Sequence, residues 1–412
     1  MKKLKNIIFL TVFSCFNIFA ADNSSKALSE DIIKSNFSVD VSNTDFSFLD
    51  TPVFYQKAAS AKADFSQIPD YSFSYLNNLV VNAINASVKS FDGVIYSINM
   101  KDVPDALISA RDRGVKIRLI IDHSHVYPRM DAQIKKLANA GPGIEVRVSR
   151  GYRTYGVNHN KITIHDGELV TLGSYNWTFG ATFSNYENTI VARHPIYVDG
   201  YKKYFEWMWS NSAKIEQGPI PEQQVGAYGQ PPMDNKPVMS LNGTPVPAYL
   251  FSPGSDTENR IAALMDSAKQ SIDAVTFTFS SKPIADALIR AHKRGVKVRF
   301  LEDIGMAKKS SMARYVYESG VPMKWTGGRN EKGAMHNKFI IFDGKILATG
   351  SYNFTTNGSA NSFENLIFIS DENAVKAYQS KFGWFYSQAS APASSDDFEA
   401  DPIQQDNPPA AE

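Results

Sequence analysis

The sequence predicts an α/β fold in which one layered unit is used twice. The strongest sign is an internal repeat. Asp105-Ala-Leu-Ile and Arg113-Gly-Val-Lys-Ile-Arg118 return as Asp286-Ala-Leu-Ile and Arg294-Gly-Val-Lys-Val-Arg299, both 181 residues later. The second sign is the alternation of helix-like and strand-like patterning inside each copy. The third is a stretch dense in Pro, Gly and Gln, residues 218–237, between the copies.

Each copy reads in order as helix, strand, helix, strand and then a further strand carrying a motif. Apolar residues at helical spacing place the opening helices at 77–87 and 257–268. Strand-like runs follow at 94–99 and 272–279. Pro104 and Pro283 suit the first turn of the next helices, where proline's missing N–H costs nothing. Gly114 and Gly295 suit their ends, where a left-handed residue is common. Strands at 115–121 and 296–301 complete the alternation. The implied organisation is a leader over 1–20, a polar segment over 21–50, repeat one over 51–215, a linker over 216–240, repeat two over 241–390 and a tail over 391–412. The tail is acidic and rich in Pro and Ala, a composition that predicts disorder.

Composition narrows the function classes. The 412 residues are 43% hydrophobic and 21% charged, which argues against both a membrane bundle and a disordered chain. Lys2, Lys3 and Lys5 precede an apolar run from Ile7 to Ala20, and a polar stretch opens at Asp22. That is the pattern of a secretory signal peptide. The run falls short of the ~20 apolar residues of a membrane span. An uncleaved membrane anchor and a lipoprotein-type site at Cys15 are the alternatives. Export, to the periplasm or the medium, is therefore expected. Cys15 is the sole cysteine and lies in the leader, so cleavage removes disulfides, thiolate catalysis and zinc–cysteine sites from consideration. Residues 21–390 hold 40 basic and 36 acidic residues, a balance of +4. A dedicated nucleic-acid binder is expected to be far more basic.

The chemistry-bearing residues also occur twice. His159-x-Lys161 is followed by Asp166, by Gly173-Ser174-Tyr175-Asn176 and by Glu187. His336-x-Lys338 is followed by Asp343, by Gly350-Ser351-Tyr352-Asn353 and by Glu364. In both copies His to Asp is seven residues, Asp to Gly seven and Asn to Glu eleven. The offset here is 177, so repeat one carries four extra residues, placed around 123–128.

Residues two apart on a strand share a face, so each His and Lys are expected together. Ile162 and Ile164, like Phe339 and Ile341, then turn to a core. Gly173 and Gly350 are expected to turn the chain tightly and present Ser and Asn beside the pair. Lysine supplies charge, and Asn and Ser supply directed hydrogen bonds, a set suited to phosphate. Two histidines titrating near pH ~6.5 can act as neutral nucleophile and protonated acid in an in-line displacement at phosphorus. Neither a metal nor any other cofactor is required.

Both copies match HxKxxxxDxxxxxxGSxN residue for residue, and on that motif residues 77–364 resemble the phospholipase D superfamily. The resemblance implies two α/β/α repeats related by a pseudo-twofold axis, with one active site at their interface. It implies His159 as nucleophile and His336 as acid and base, although the symmetry makes the two interchangeable. Lys161, Lys338, Asn176 and Asn353 would bind phosphoryl oxygens, with Ser174 and Ser351 in support. Glu187 and Glu364 would orient the histidines. Asp166 and Asp343, at turns before Gly167 and Gly344, are expected to be structural.

The repeat is a control on the other histidines. His165 aligns with Phe342, His194 with Asp371 and His292 with Arg111, so packing or surface roles are expected. His123 and His125, beside Asp122, lack further ligands for a metal and fit a loop at the cleft rim. The loops Gly151-Tyr-Arg-Thr-Tyr-Gly156 and Trp325-Thr-Gly-Gly-Arg-Asn330 are expected to lead into the cleft. They suit lipid headgroups, stacked bases or plain turns.

Three functions fit these residues. One is a phospholipase D-type hydrolase acting on phospholipid at a membrane surface. Another is a nuclease of the same superfamily with little sequence preference, and the short repeats resemble its small nucleases and cardiolipin hydrolase-like members. The third, a non-catalytic binding protein, is disfavoured because both motifs are complete. The modest charge argues against a polyanion, and export places the chain near envelope lipids, so phospholipid is the expected substrate. No obligate protein partner is implied.

Overall fold

The computed structural model describes residues 62–402. The expected leader with Cys15, the polar segment and the end of the tail lie outside the described residues. Repeat one runs β1 (Tyr71–Ser72), α1 (Leu76–Ala86), β2 (Ser90–Ile95), α2 (Asp102–Asp112), β3 (Lys116–Asp122), α3 (Ala132–Ala138), β4 (Ile144–Ser149), β5 (Lys161–His165), β6 (Leu169–Gly173), α4 (Phe179–Phe183), β7 (Thr189–Ala192), α5 (Pro195–Ser210) and β8 (Ala213–Lys214). A hairpin of β9 (Met239–Leu241) and β10 (Thr244–Val246) leads to repeat two. There the order is β11 (Tyr249–Ser252), α6 (Thr257–Ser267), β12 (Ser271–Thr276), α7 (Lys282–Lys293), β13 (Lys297–Asp303), α8 (Ile304–Ala307), α9 (Ser311–Glu318), β14 (Met323–Thr326), β15 (Phe339–Phe342), β16 (Ile346–Gly350), α10 (Thr356–Ala360), β17 (Glu364–Ile369) and α11 (Glu372–Gln388).

Local sequence explains these elements. α1 buries Leu76, Leu79, Val80, Ala83 and Ile84 on one face, the stripe its periodicity predicts. α7 carries Pro283 in its first turn, and the Ser281 side chain accepts a hydrogen bond from Ile284 N to cap it. α2 and α7 stop just before Gly114 and Gly295, whose φ values of 97° and 85° let the chain turn back to the sheet.

The two sheets share one topology. Their orders are β1-β7-β6-β5-β2-β3-β4-β8 and β11-β17-β16-β15-β12-β13-β14. The motif strands β5 and β15 sit centrally, antiparallel to β2 and β12. Outside each sheet lie the helices of the sequence repeat, α1 and α2 in one case and α6, α7 and α9 in the other. Between the sheets α5 and α11 build a shared core. It contains Ile162, Ile164, Phe339 and Ile341, the residues expected to turn away from the His/Lys pairs, together with Tyr204, Phe205, Tyr378 and Phe382. Each such buried side chain contributes roughly 1.5–3 kcal/mol, so this core binds the repeats into one unit.

Several expectations change. β2 and β12 end at Ile95 and Thr276 rather than at Asn99 and Phe279. Beyond them the backbone leaves the ladder to meet the motif loops, with Tyr96 N donating to Asn160 O and Asn99 N to Trp177 O, both at 3.0 Å. β4 and β14 were not anticipated. Val146 lies opposite Leu119, and Met323 lies opposite Phe300, so the four extra residues fall between Asp122 and Val146. The expected disorder is corrected for residues 391–402. Ser390 bridges to Trp325, and Phe398 is buried with its ring 5.2 Å from Trp325 and 5.4 Å from Tyr317. One aromatic anchor there outweighs the acidic composition. The linker has little regular structure, yet its Tyr228 stacks on Tyr152 at 5.2 Å.

Candidate active site

The two motifs meet at the seam between the sheets. Neither histidine belongs to its motif strand, because β5 begins at Lys161 and β15 at Phe339. The sheet therefore does not fix the His/Lys pair as expected. Instead, the opposite repeat holds each histidine backbone: His159 N donates to Phe363 O and His336 N to Tyr186 O, both at 3.0 Å. The side chains cross in the same way. His159 Nδ1 is 2.9 Å from Glu364 Oε1, and His336 Nδ1 is 2.9 Å from Glu187 Oε2. A carboxylate only accepts, so Nδ1 carries the proton and Nε2 presents a lone pair.

The glutamates are themselves held. Glu187 accepts from Asn185 Nδ2 at 3.1 Å, and Glu364 accepts from Ser351 Oγ at 2.5 Å. Burial works against ionisation of Glu187, but His336, Lys338 and Ser174 together hold it below the usual carboxylate range. Ser174 and Ser351 also accept from Asn188 N and Asn365 N at 3.0 and 3.1 Å. They thus tie each GSxN segment to the glutamate-bearing strand.

Lys161 and Lys338 are buried beside the histidines, and their Nζ atoms donate to the carbonyls of His159 and His336. Burial lowers Lys161 to about 7, against the pull of Glu364. It lowers Lys338 to about 8, against Glu187 and Glu364. Burial also lowers both histidines, with the lysines adding to the effect and the glutamates opposing it; His336 falls to about 4. Both imidazoles are therefore neutral near pH ~7 in the free protein. A bound anion would favour return of a proton. The carboxamide oxygens of Asn176 and Asn353 are buried without a hydrogen-bond partner at equivalent positions of the two repeats. These oxygens only accept, so it is the Nδ2 amide of each residue that could donate to a phosphoryl oxygen.

Gly173 and Gly350 serve a different purpose from the one expected. They end β6 and β16 rather than open a turn. A Cβ would lie 2.3 Å from Asn188 O at Gly173 and 2.1 Å from Asn365 O at Gly350. Close approach of the glutamate-bearing strand is what requires glycine. Asp166 and Asp343 lie away from the histidines, at left-handed turns with φ of 52° and 51°. Asp166 accepts from the backbone N–H groups of Val88, Lys89 and Ser90, and Asp343 from those of Lys269, Gln270 and Ser271. Each clamps the loop that enters β2 or β12.

Sequence reasoning missed a supporting shell. Asn365 Nδ2 donates to Asn160 Oδ1 at 2.9 Å, and Asn188 Nδ2 to Asn337 Oδ1 at 2.8 Å, again across the repeats. Asp122 Oδ2 accepts from Asn158 N at 2.7 Å, and Asp303 Oδ2 accepts from Met335 N at 2.9 Å, which fixes the residue before each histidine. The six side chains, Asn160/Asn337, Asn188/Asn365 and Asp122/Asp303, are kept at the repeat offsets of 177 and 181, the signal that could have found them.

The other histidines take packing or loop roles. His165 is wholly buried, hydrogen-bonded to Ser87 and Thr163, and burial lowers it to about 3. His125 Nδ1 bonds Asp131 at 2.8 Å, and its ring meets Tyr96, which in turn lies 5.2 Å from His159. Among the described residues no group of three or more His, Cys, Asp or Glu is placed to hold a metal ion. The loops before the motifs dock on the opposite repeat. Tyr152 N donates to Asn361 O at 2.8 Å and Arg329 N to Ser184 O at 2.7 Å.

Fold and site together define a protein of the two-repeat, paired-histidine class. The family described as "Cardiolipin synthase, PLD-like domain" matches the chain twice, over residues 80–209 and 261–386. The chain belongs to the phospholipase D superfamily. It is 35% identical over 141 residues to the mitochondrial cardiolipin hydrolase of Xenopus tropicalis, covering 34% of this chain and 65% of that one. It is 30% identical over 171 residues to a phospholipase D of Rickettsia typhi, covering 42% of this chain and 78% of that one. The match spans 50% to 65% of the length of the vertebrate cardiolipin hydrolases. The phosphatidylserine synthase of Haemophilus influenzae shares the fold, with a TM-score of 0.61 over 81% of this chain and 90% of its own at 12% identity.

Proposed function

We propose that the chain is an exported phosphodiesterase of the phospholipase D type that hydrolyses phospholipids through a phosphohistidine, with no metal in the chemistry. The crossed histidine–glutamate pairs carry this reading. Each pair leaves the histidine's Nε2 for a ligand, and both lysines lie close enough to act on both histidines. Neutral His159 attacks phosphorus through Nε2, and the P–O bond to the leaving alcohol breaks as His336, protonated when the anionic diester binds, donates its proton to that oxygen. His336, now neutral, takes a proton from water. The water oxygen bonds phosphorus, the N–P bond breaks and its electron pair returns to His159. Lys161 and Lys338, with Asn176 and Asn353, hold the phosphoryl oxygens as charge builds there.

The named activities of the relatives and the modest +4 balance of residues 21–390 support a lipid substrate. The decisive experiment offers the purified protein, in EDTA, labelled phosphatidylcholine and cardiolipin vesicles alongside plasmid DNA. Headgroup release with intact plasmid is expected. Plasmid cleavage without headgroup release would replace lipid by nucleic acid, and loss of activity in EDTA would end the metal-free mechanism.

A further inference from the structure

The repeat exposes features that the fold does not need. α4, between Asn176 and Glu187, begins and ends with Phe179 and Phe183, which are 64% and 51% exposed with rings 4.6 Å apart. The equivalent helix α10 carries Thr356 and Ala360 at these positions. Both helices have the same threonine cap, with Thr178 accepting from Ala181 N and Thr355 from Gly358 N. The phenylalanines therefore do not build the helix. Exposed apolar rings that serve no packing purpose point to something that covers them.

One more exposed aromatic shares this rim. Arg329 joins it from the loop before His336, with its N donating to Ser184 O at 2.7 Å and its Nη2 to Phe73 O at 2.9 Å. Trp384, 44% exposed, rests on Tyr186 at 5.7 Å. Basic groups flank the rings. Exposed Lys332 follows Arg329. Lys381 lies 4.3 Å from the Trp384 ring. Of the acidic neighbours, Asp102 is bonded to Asn77, and Glu331 is exposed.

We infer that this rim seats the protein on an anionic bilayer, a conclusion that rests on the phospholipid reading above and gives the site its membrane-facing side. Phe179 and Phe183 enter the boundary between headgroups and acyl chains, and Arg329 and Lys332 meet the anionic headgroups. The alternative occupant is a nucleic acid strand stacked on the rings. The two phenylalanine planes are inclined at 50° and pack on each other, a wedge rather than a parallel platform for successive bases.

The test sediments the full chain with vesicles of phosphatidylcholine alone or mixed with phosphatidylglycerol. The double variant Phe179→Thr/Phe183→Ala writes the residues of repeat two into repeat one. Wild type is expected to pellet with the anionic vesicles and the variant to bind them about tenfold more weakly. Turnover of a soluble diester, bis(p-nitrophenyl) phosphate, is expected to be unchanged. Equal vesicle binding would overturn the inference, as would loss of oligonucleotide binding with vesicle binding intact. If the variant loses vesicle binding while wild type releases no headgroup, the rim stands and the lipid substrate falls.

Discussion

His159 of repeat one and Glu364 of repeat two form one hydrogen-bonded pair, Nδ1 to Oε1 at 2.9 Å, and His336 and Glu187 form its counterpart. Neither motif histidine takes its carboxylate from its own repeat. The candidate site is therefore built by both repeats together.

Glu187→Gln and Glu364→Gln should each lower kcat for a soluble diester by about 10²–10⁴-fold with little change in KM. An amide can offer its N–H to Nδ1 and stabilise the wrong tautomer. Because one site uses both pairs, both variants should be impaired. A normal kcat in either would remove that glutamate from the mechanism.

Binding should weaken as the solution becomes alkaline. Burial brings Lys161 to about 7 and Lys338 to about 8, and each is charged below its value and neutral above it. A diester's own charge is constant in this range, so its KM should rise as pH passes from 7 through 8. A KM that stays flat to about pH 10, the ordinary lysine range, would show the ammonium groups to be unperturbed.

Asp343 should matter for stability and not for chemistry. Partial burial opposes its ionisation, but bonds from Gln270 N, Asn242 Nδ2, Ser271 N and Lys269 N hold its carboxyl below the usual range. A depressed value stabilises the fold above the unfolded pKa of ~3.9, and that contribution is lost as pH falls through the lower folded value. Asp343→Ala should lower stability by about 2–4 kcal/mol in denaturant titration while leaving kcat unchanged. A kcat loss with unchanged stability would make Asp343 catalytic.

The buried Asn160–Asn365 bond, 2.9 Å across the seam, should couple the repeats energetically. Either alanine variant should cost about 1–3 kcal/mol. The double-mutant cycle should show a coupling of roughly 0.5–3 kcal/mol. Simple additivity would mean that the bond contributes nothing across the interface.

The repeat made much of this legible. Alternating patterns gave the helices α1, α2, α6 and α7 and their neighbouring strands, and a doubled HxK…GSxN named most of the residues that converge. What the motif spacing did not carry was who pairs with whom. The link between His159 and Glu364 arises from packing of two sheets around α5 and α11, a contact between residues 205 positions apart. Gly173 likewise looked like a turn former. The reason for it, Asn188 O only 2.3 Å from where a Cβ would sit, exists only once β6 and β7 are paired. Phe398 shows the opposite limit, since local composition predicted disorder and one buried ring overrode it.

The central claim is one site made by both repeats, and the most direct measurement is turnover of a soluble diester by His159→Asn and His336→Asn separately. The shared site predicts that each variant loses turnover by at least about 10³-fold. If either retains roughly half of wild-type activity, the repeats work as two independent sites and the account is wrong.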